Sequence, residues 1–408
     1  MLVGSNLHRV AIVGGARIPF VRSMGAYAEC SNQQMLTAAL QALADKYRLA
    51  GERLGDVGAG AVLKSPRDFN LTRACGTSLE TAILLGLKIA AGQIDSAIAA
   101  GVDTASDAPI GINEDLRRIL LRSARGRSLG QRLAPWTSLR PGHWKPSFPA
   151  VVEPRTGLTM GQGTELMARR WGIRREAQDE LALASHIRAA AAYDAGFFDD
   201  LVFEFEGVQR DDNLRRDTSL ERLARLKPAF PVDGSATLTA GNSTPMTDGA
   251  AAVLLASEDW ARARGLPVQA YLTFGKVAAV DFLQDEGLLM APAYAVPRML
   301  DDAGLTLQDF DFYEIHEAFA AQVLCTLAAW ESAEFCRGRL GRERPLGSID
   351  RAKLNVNGSS LAVGHPFAAT GARILATLAK LIDQRGGGRG LISICTAGGM
   401  GVTAIVER

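Results

Sequence analysis

At 408 residues and 43.4 kDa the chain is long enough for two or three domains, each with a core of its own. A hydrophobic fraction of 47%, a mean hydropathy of +0.05 and a formal net charge of +1 describe an ordinary globular protein and exclude a global electrostatic pull toward nucleic acid. No apolar run reaches the length of a membrane span, no charged-then-apolar leader opens the chain, and five cysteines without paired or zinc-type spacing predict reduced thiols in a cytoplasm and no bound metal.

Along the chain, short apolar runs alternate with helical patterns, which predicts an α/β fold. Strands are expected at Arg9–Val13, Ala59–Leu63, Ser96–Ala100, Ala250–Ala256, Val268–Phe274, Phe310–Ile315, Lys353–Val356, Leu391–Cys395 and Gly401–Val406. Helical spacing predicts helices over Gln33–Tyr47, with Leu36, Leu40, Leu43 and Tyr47 on one face, and over Gly76–Ala91, with Leu79, Ile83 and Leu87 inward. A third is expected over Pro366–Ile382, with Ile374, Leu378 and Leu381 inward and Pro366 at its first turn. Two halves share a plan of turn, helix and strand, which predicts an internal duplication with the active site between the halves. The Arg-, Gly- and Pro-rich stretch Asn113–Met246 is too long for a simple loop and reads as an inserted cap, with a helix at Arg174–Tyr193.

Within it, Leu116–Lys145 holds seven arginines and one lysine and no acidic residue. Leu129, Leu133 and Trp136 are expected on one helical face and Arg118, Arg122 and Arg125 on another. Such an element is either a membrane-surface or partner-docking helix or a solvated cap helix.

Three small-residue turns carry chemistry. Cys75 lies in Arg73-Ala74-Cys75-Gly76-Thr77-Ser78 at an expected helix start, where backbone N–H groups and the helix dipole would favour a thiolate nucleophile. His365 lies between Gly364 and Pro366, a rigid mount suited to a general base. Cys395 ends an apolar strand before Ala397-Gly398-Gly399-Met400-Gly401, where converging N–H groups suit an oxyanion hole and a thiol can give and take a proton. His316 follows a strand and precedes a helix, a position where ligand sites collect. Taken singly, each also fits a structural reading: a core cysteine, a satisfied histidine, a glycine turn. Cys325 and Cys336 read as core filler.

Together, Arg73-Ala74-Cys75-Gly76-Thr77-Ser78, His316-Glu317-Ala318-Phe319-Ala320, Gly364-His365-Pro366-Phe367-Ala368-Ala369-Thr370-Gly371 and Cys395-Thr396-Ala397-Gly398-Gly399-Met400-Gly401 resemble the four active-site motifs of thiolases, in order and across nearly the whole chain. Leu226–Phe230 and Thr239–Thr244 agree. His316, and the wording of the Cys75 and His365 motifs, resemble the 3-ketoacyl-CoA thiolases of fatty-acid β-oxidation, in the subgroup of trifunctional β subunits. Three positions depart from the pattern: Ser359 stands where a second glycine is usual, Ala397 where several relatives have glycine, and Thr159 where some relatives have a CoA-contacting histidine.

The resemblance implies duplicated βαβαβαββ halves in five αβαβα layers. Residues 1–112 with 247–267 would form the N-terminal half, 113–246 the CoA-binding insert and 268–408 the C-terminal half. It implies no permanently bound cofactor, with coenzyme A as co-substrate. Cys75 would carry the acyl group, His365 would activate it, and Cys395 would move the proton on the acetyl side. His365 with His316 would hold the enolate oxygen, and the amides of Cys75 and Ala397, beside Gly398, the acyl oxygen. Arg215 and Arg222, with Arg216 as neighbour, would face the CoA nucleotide. Ser243 and Thr244 would meet the pantetheine, and Phe230, Met160, Met290 and Phe319 would line the apolar path. A homodimer or homotetramer, a hydratase/dehydrogenase partner subunit and membrane contact through 116–145 follow from the same likeness. Condensation of two acetyl-CoA, a decarboxylating ketoacyl synthase and a non-catalytic lipid carrier or scaffold are the alternatives.

Overall fold

The computed structural model describes residues 1–63, 73–149, 152–233, 236–284 and 286–408. Among them the strands are β1 (Val10–Arg17), β2 (Val21–Arg22), β3 (Asp56–Gly60), β4 (Ser96–Asp103), β5 (Thr247–Ser257), β6 (Ala270–Ala279), β7 (Phe312–Ile315), β8 (Arg389–Thr396) and β9 (Met400–Glu407). The helices are α1 (Asn32–Lys46), α2 (Thr77–Ala90), α3 (Glu114–Arg125), α4 (Leu129–Leu133), α5 (Met160–Arg170), α6 (Arg175–Asp194) and α7 (Leu220–Ala224). They continue with α8 (Glu258–Ala263), α9 (Pro292–Ala303), α10 (Ala320–Glu331), α11 (Ala333–Leu340), α12 (Ser360–Val363) and α13 (Thr370–Arg385). None is long and apolar enough to cross a membrane.

The strand order β3-β4-β5-β1-β6-β9-β8-β7 shows the duplication directly. In the first half β3 pairs parallel with β4, β4 antiparallel with β5, and β5 antiparallel with β1. In the second half β7, β8, β9 and β6 repeat that sequence of pairings. The halves meet where β1 and β6 pair at Ala11–Tyr271 and Ile12–Ala270. Parallel neighbours need a crossover helix, and α2 and α13 supply one in each half.

Every residue of β1, β4 and β5 is buried, as for strands covered on both faces. Alternation sorts them: Ile12, Ala99 and Val253 face a core shared with Leu79 of α2, Leu375 of α13, and Ile394 and Val402 of the other half. Val13, Ala100 and Leu254 face outward onto Leu43 of α1. On the far side, Leu391 and Ile405 pack against Val296 and Leu300 of α9 and Leu327 of α10. The layers therefore run α1, first half-sheet, α2 with α13, second half-sheet, α9 with α10. Gly371 is where α13 crosses α2: a Cβ there would lie 2.4 Å from the Leu79 amide nitrogen.

Several local expectations change. Lys353–Val356 is not a strand: a 3₁₀ turn occupies Arg351–Lys353, Leu354 makes a single bridge to Tyr313, and Asn355 turns away at φ +46°. The third strand stops at Gly60, and the next amides, of Val62 and Leu63, bind the Asp103 carboxylate instead. Leu87 points outward, and Leu79, Ile83 and Ile89 hold the inner face of α2. On α1 the buried row is Met35, Ala39 and Leu43. The helix expected from Pro366 begins at Thr370, after a 3₁₀ turn over Phe367–Ala369.

The insert leaves from the end of β4 and returns to β5, its sheet neighbour. The basic stretch is not one amphipathic helix. Gly126, extended at ψ 130°, ends α3, whose Leu116 and Ile119 are buried, and Glu114 at its start pairs with Arg117 and Arg118. Trp136 folds back and donates to the Ser123 hydroxyl at 3.0 Å, while Leu129 and Leu133 stay exposed.

Candidate active site

The Cys75 turn is tight and pinned. Ala74 adopts φ +42°, a conformation that costs a non-glycine residue energy. Thr77 holds it: its hydroxyl donates to the Ala74 carbonyl at 2.7 Å and accepts from the Arg73 amide at 2.7 Å. Gly76 must be small because a Cβ there would sit 2.8 Å from Val402. One turn on, the Ser78 hydroxyl donates to the Ala368 carbonyl and accepts from the Ala372 amide, tying the Cys75 turn to the His365 loop of the other half.

The His365 loop is fixed from the first half as well. Its amide donates to the Thr247 hydroxyl at 2.8 Å, and the Ala368 amide donates to Asp103 at 2.8 Å. Gly364 takes φ +97°, where the next residue could not be reached by an ordinary side-chain-bearing backbone without strain. His365 Nδ1 lies 2.6 Å from the Thr370 hydroxyl, and His316 Nδ1 lies 2.8 Å from the Ser360 hydroxyl. Both Nε2 atoms are buried and have no protein partner.

These elements converge. The Cys75 sulfur and one ring nitrogen each from His316 and His365 lie within 4.8 Å of one another. The same three atoms form a donor set able to hold a soft divalent cation, a use that would displace their use in proton transfer, and no linear spacing in the sequence displays it. The amides of Ala397 and of Cys75 itself reach the Cys75 sulfur, and Cys395 is close enough that a charge on one thiol opposes a charge on the other. Gly398 and Gly399, at φ +78° and +70°, make the turn that presents Ala397.

Burial outweighs the helix start at Cys75: desolvation pushes its thiol up to about 12, against the lowering effect of the two amides. Cys395 is raised well above its ordinary value by burial and then by Cys75. His365 is pushed down to about 3 by burial and by the Arg373 charge, and His316 falls well below its ordinary value by burial, His365 and Arg373. The resting centre is therefore neutral: two thiols and two imidazoles, rather than a standing thiolate–imidazolium pair.

Cys395 packs with Met290, Phe319 and Leu238, and Met160 and Phe230 lie against that cluster, Phe230 edge-on to Phe319 at 5.9 Å. Four residues expected on the apolar path are thus brought together beside one of the thiols. Ser243 bridges to the Phe319 backbone, and the Thr244 hydroxyl donates to the Ala318 carbonyl at 3.1 Å. Ser243 also lines a cleft of about 380 Å³ with Arg22, Arg215, Arg222, Leu226 and Leu361. The cleft is electropositive: Arg215 and Arg22 help burial to lower His186 to about 4. Arg216 is turned away and paired with Asp194. Thr159 caps α5, accepting from the Gln162 amide. A larger cleft of about 460 Å³ at the far edge, around Arg9, Arg389 and Glu407, contains none of the four motifs, and its Arg389 pairs with Glu407.

Sequence reasoning passed over Arg22, Thr247, Ser360, Thr370 and Arg373. Thr370 belongs to a quoted motif, whereas Arg373 shares its buried helix face with Thr377 and Lys380 and so does not stand out in the sequence. Cys325 and Cys336 are buried as filler.

The family description "Thiolase, N-terminal domain" matches residues 68–259, and "Thiolase, C-terminal domain" matches residues 266–408. The 3-ketoacyl-CoA thiolase of Yersinia pestis (strain Pestoides F) is 40% identical over 431 aligned positions, which span 100% of this chain and 98% of that protein. The crystal structure of the Bacillus anthracis acetyl-CoA acetyltransferase superposes with a TM-score of 0.79 at 27% identity, covering 99% of this chain and 100% of that one. Human mitochondrial 3-ketoacyl-CoA thiolase in complex with CoA gives 0.78 at 28% identity, covering 98% of each chain. Matched at both ends by the family's domains and at full length by its members, the chain belongs to the thiolase family and is an acyltransferase.

Proposed function

We propose that this chain cleaves 3-ketoacyl-CoA with free CoA, giving acetyl-CoA and an acyl-CoA two carbons shorter. The observation that carries the reading is the convergence of the Cys75 sulfur with His316 and His365, with the Ala397 amide on that sulfur. His365 takes the proton from Cys75 as the sulfur attacks the 3-keto carbon, so that no free thiolate need persist at rest. The carbon–carbon bond breaks, the acyl group stays on Cys75, and the acetyl-CoA enolate takes a proton from Cys395. CoA then enters and gives its thiol proton to Cys395, and its sulfur takes the acyl group from Cys75. His365 and His316 face the enolate oxygen. The amides of Cys75 and Ala397, beside Gly398, face the acyl oxygen, where donors act most strongly because water is excluded.

Arg215 and Arg222 in the electropositive cleft suit the CoA nucleotide, with Arg22 as a third cation. Ser243 and Thr244 lie between that cleft and the sulfur, and Met160, Phe230, Met290 and Phe319 suit the acyl path. CoA is co-substrate, with no resident cofactor. Residues 113–246 act as the CoA-binding insert between halves 1–112 with 247–267 and 268–408. The degradative type is favoured by the 40% identity to proteins named 3-ketoacyl-CoA thiolase, and His316 with the wording of the Cys75 and His365 motifs resembles the trifunctional β-subunit kind. The same kind implies a homo-oligomer and a hydratase/dehydrogenase partner, and the unpaired cysteines suit a reducing cytoplasm. The second reading, condensation of acetyl-CoA, draws on the likeness to the acetyl-CoA acetyltransferase. Thiolysis rates across a series of 3-ketoacyl-CoA lengths decide: activity confined to four carbons supports condensation, activity on longer chains supports degradation, and full thiolysis by Cys75→Ser overturns both.

A further inference from the structure

Beneath the two histidines lies a polar chain that the four motifs do not explain. Arg373, on the inner face of α13, is buried, and its guanidinium donates to the Ser360 hydroxyl at 2.8 Å and to the Ser359 hydroxyl at 3.2 Å. Ser360, at the first position of α12, lies 2.8 Å from His316 Nδ1. Ser359 stands where the family's pattern has glycine, so its acceptor for Arg373 is a feature of this chain.

The donors and acceptors in this chain can be counted. A guanidinium has hydrogens and no acceptor. Ser360 therefore receives a hydrogen from Arg373 and has one of its own to place. Among the described residues the acceptor that meets the Ser360 hydroxyl is His316 Nδ1. If Nδ1 accepts, the proton of the neutral imidazole sits on Nε2, the buried, unpartnered atom of a ring that lies against Cys75 and His365. His365 is wired differently. Its Nδ1 meets the Thr370 hydroxyl, which has no such cationic donor behind it among the described residues, so Nδ1–H can donate there and Nε2 keeps its lone pair.

We propose that Ser360 and Arg373 are positioning residues: through hydrogen bonding they fix His316 as an Nε2–H donor, so that of two adjacent histidines one stabilises the oxyanion and the other is free to act as base. With the opposite tautomer at His316, its Nε2 lone pair would face the developing enolate and repel it. The ring centroids are 4.1 Å apart, so the two nitrogens share one small space and cannot be assigned by distance alone. The charged and titratable groups facing His316 are His365 and Arg373, and those facing Arg373 are Glu314, Glu317, Arg17 and Asp211.

The inference deepens the reading of this centre as an acyl-transfer site and rests on it for its consequence, but its first test needs no activity. With five histidines in the chain, the full-length protein labelled with ¹⁵N at histidine gives a tractable long-range ¹H–¹⁵N spectrum, assigned with His316→Asn and His365→Asn. The expected result is a protonated Nε2 and bare Nδ1 at His316, with the reverse at His365. A protonated Nδ1 at His316 overturns the proposal even if the enzyme is a thiolase, and loss of the Cys75 reading would leave this tautomer result standing. Second, Ser360→Ala should lower kcat at least tenfold, up to the ~10²–10³ that loss of a whole oxyanion donor costs, with KM for CoA within twofold and with mixed His316 tautomers in the spectrum. An unchanged kcat and an unchanged His316 pattern in folded Ser360→Ala overturn it. Because the wild-type tautomer is read directly, a variant that fails to fold leaves the proposal open to refutation.

Discussion

The rings of His316 and His365 lie against each other at a tilt, with centroids 4.1 Å apart and planes at 48°, one carried at the end of β7 and the other by the loop before α13. Burial disfavours charge on both rings, the Arg373 charge adds to it, and His365 lowers His316 further. Neutral imidazoles beside neutral thiols make proton transfer, rather than a standing ion pair, the event that starts chemistry. Each of the following expectations depends on that neutral, converging arrangement or on the contacts that hold it.

In the proposed mechanism Cys395 meets the acetyl side. Replacing it by Ala should lower kcat for thiolysis by about 10²–10⁴, the range for losing a positioned general acid/base. It should also abolish exchange of the acetyl-CoA methyl protons with D₂O, followed by NMR. Exchange at the wild-type rate in the variant would remove Cys395 from its role.

The pH dependence of stability follows from two buried groups with opposite signs. His365 falls from 6.5 unfolded to about 3 folded, so between those values the unfolded chain holds the extra proton and stability rises with pH. Its contribution is fully present above 6.5 and is lost as pH falls toward 3. His365→Asn should flatten that loss in urea unfolding measured from pH 6.5 downward. Glu314 is raised from 4.5 to about 8 by burial, so its neutral form contributes stability below 4.5 that is lost as pH rises through 8. Glu314→Gln should flatten the decline between pH 5 and 8, and an unchanged slope in either variant contradicts the assignment of that group.

Gly371 permits the crossing of α13 on α2 that brings the two halves' loops together. Gly371→Ala would place a carbon 2.4 Å from the Leu79 backbone, so the helices must part. A loss of ~1–3 kcal/mol in unfolding free energy is expected, as for overpacking a tight core, with kcat falling because Ser78 no longer meets Ala368 and Ala372. A variant with wild-type stability would mean that the crossing is looser than the contact implies.

In the proposed mechanism Arg215 and Arg222 serve the nucleotide end, remote from the sulfur chemistry. Alanine at either should raise KM for CoA about tenfold, in line with one lost charge-assisted hydrogen bond, and leave kcat unchanged. The KM for pantetheine, which lacks the nucleotide, should not move. Equal weakening of both thiols would place these arginines elsewhere in the mechanism.

Much of the site was legible because its residues sit in short turns with unusual neighbours. Glycine and proline around His365, and the glycine run after Cys395, mark where the backbone must bend. The duplication was legible from the order of turn, helix and strand. Arg373 and Ser360 were not, since on a single chain they look like an irregular core helix and a small residue in a loop, and only the fold sets one above the other beneath His316. The expected strand at Lys353–Val356 failed for a related reason: Asn355 leaves the extended conformation so that its amide can bind Ile315 on both its N–H and C=O, and Glu317 as well. The continuous basic helix failed at Gly126, and its acidic partner Glu114 lay just outside the stretch that was read as purely basic. Burial at Cys75 reversed the direction expected from a helix start, because desolvation is a tertiary effect that no local pattern reports.

The central claim is that the acyl group rests on Cys75. Incubating the protein with a 3-ketoacyl-CoA in the absence of free CoA, then digesting at low pH and mapping peptides by mass spectrometry, tests it most directly. The account predicts an acyl thioester two carbons shorter than the substrate's acyl chain on the peptide containing Cys75, none on that containing Cys395, and its discharge on adding CoA. An acyl group on Cys395 instead, or equal acylation of a Cys75→Ala protein, would contradict it.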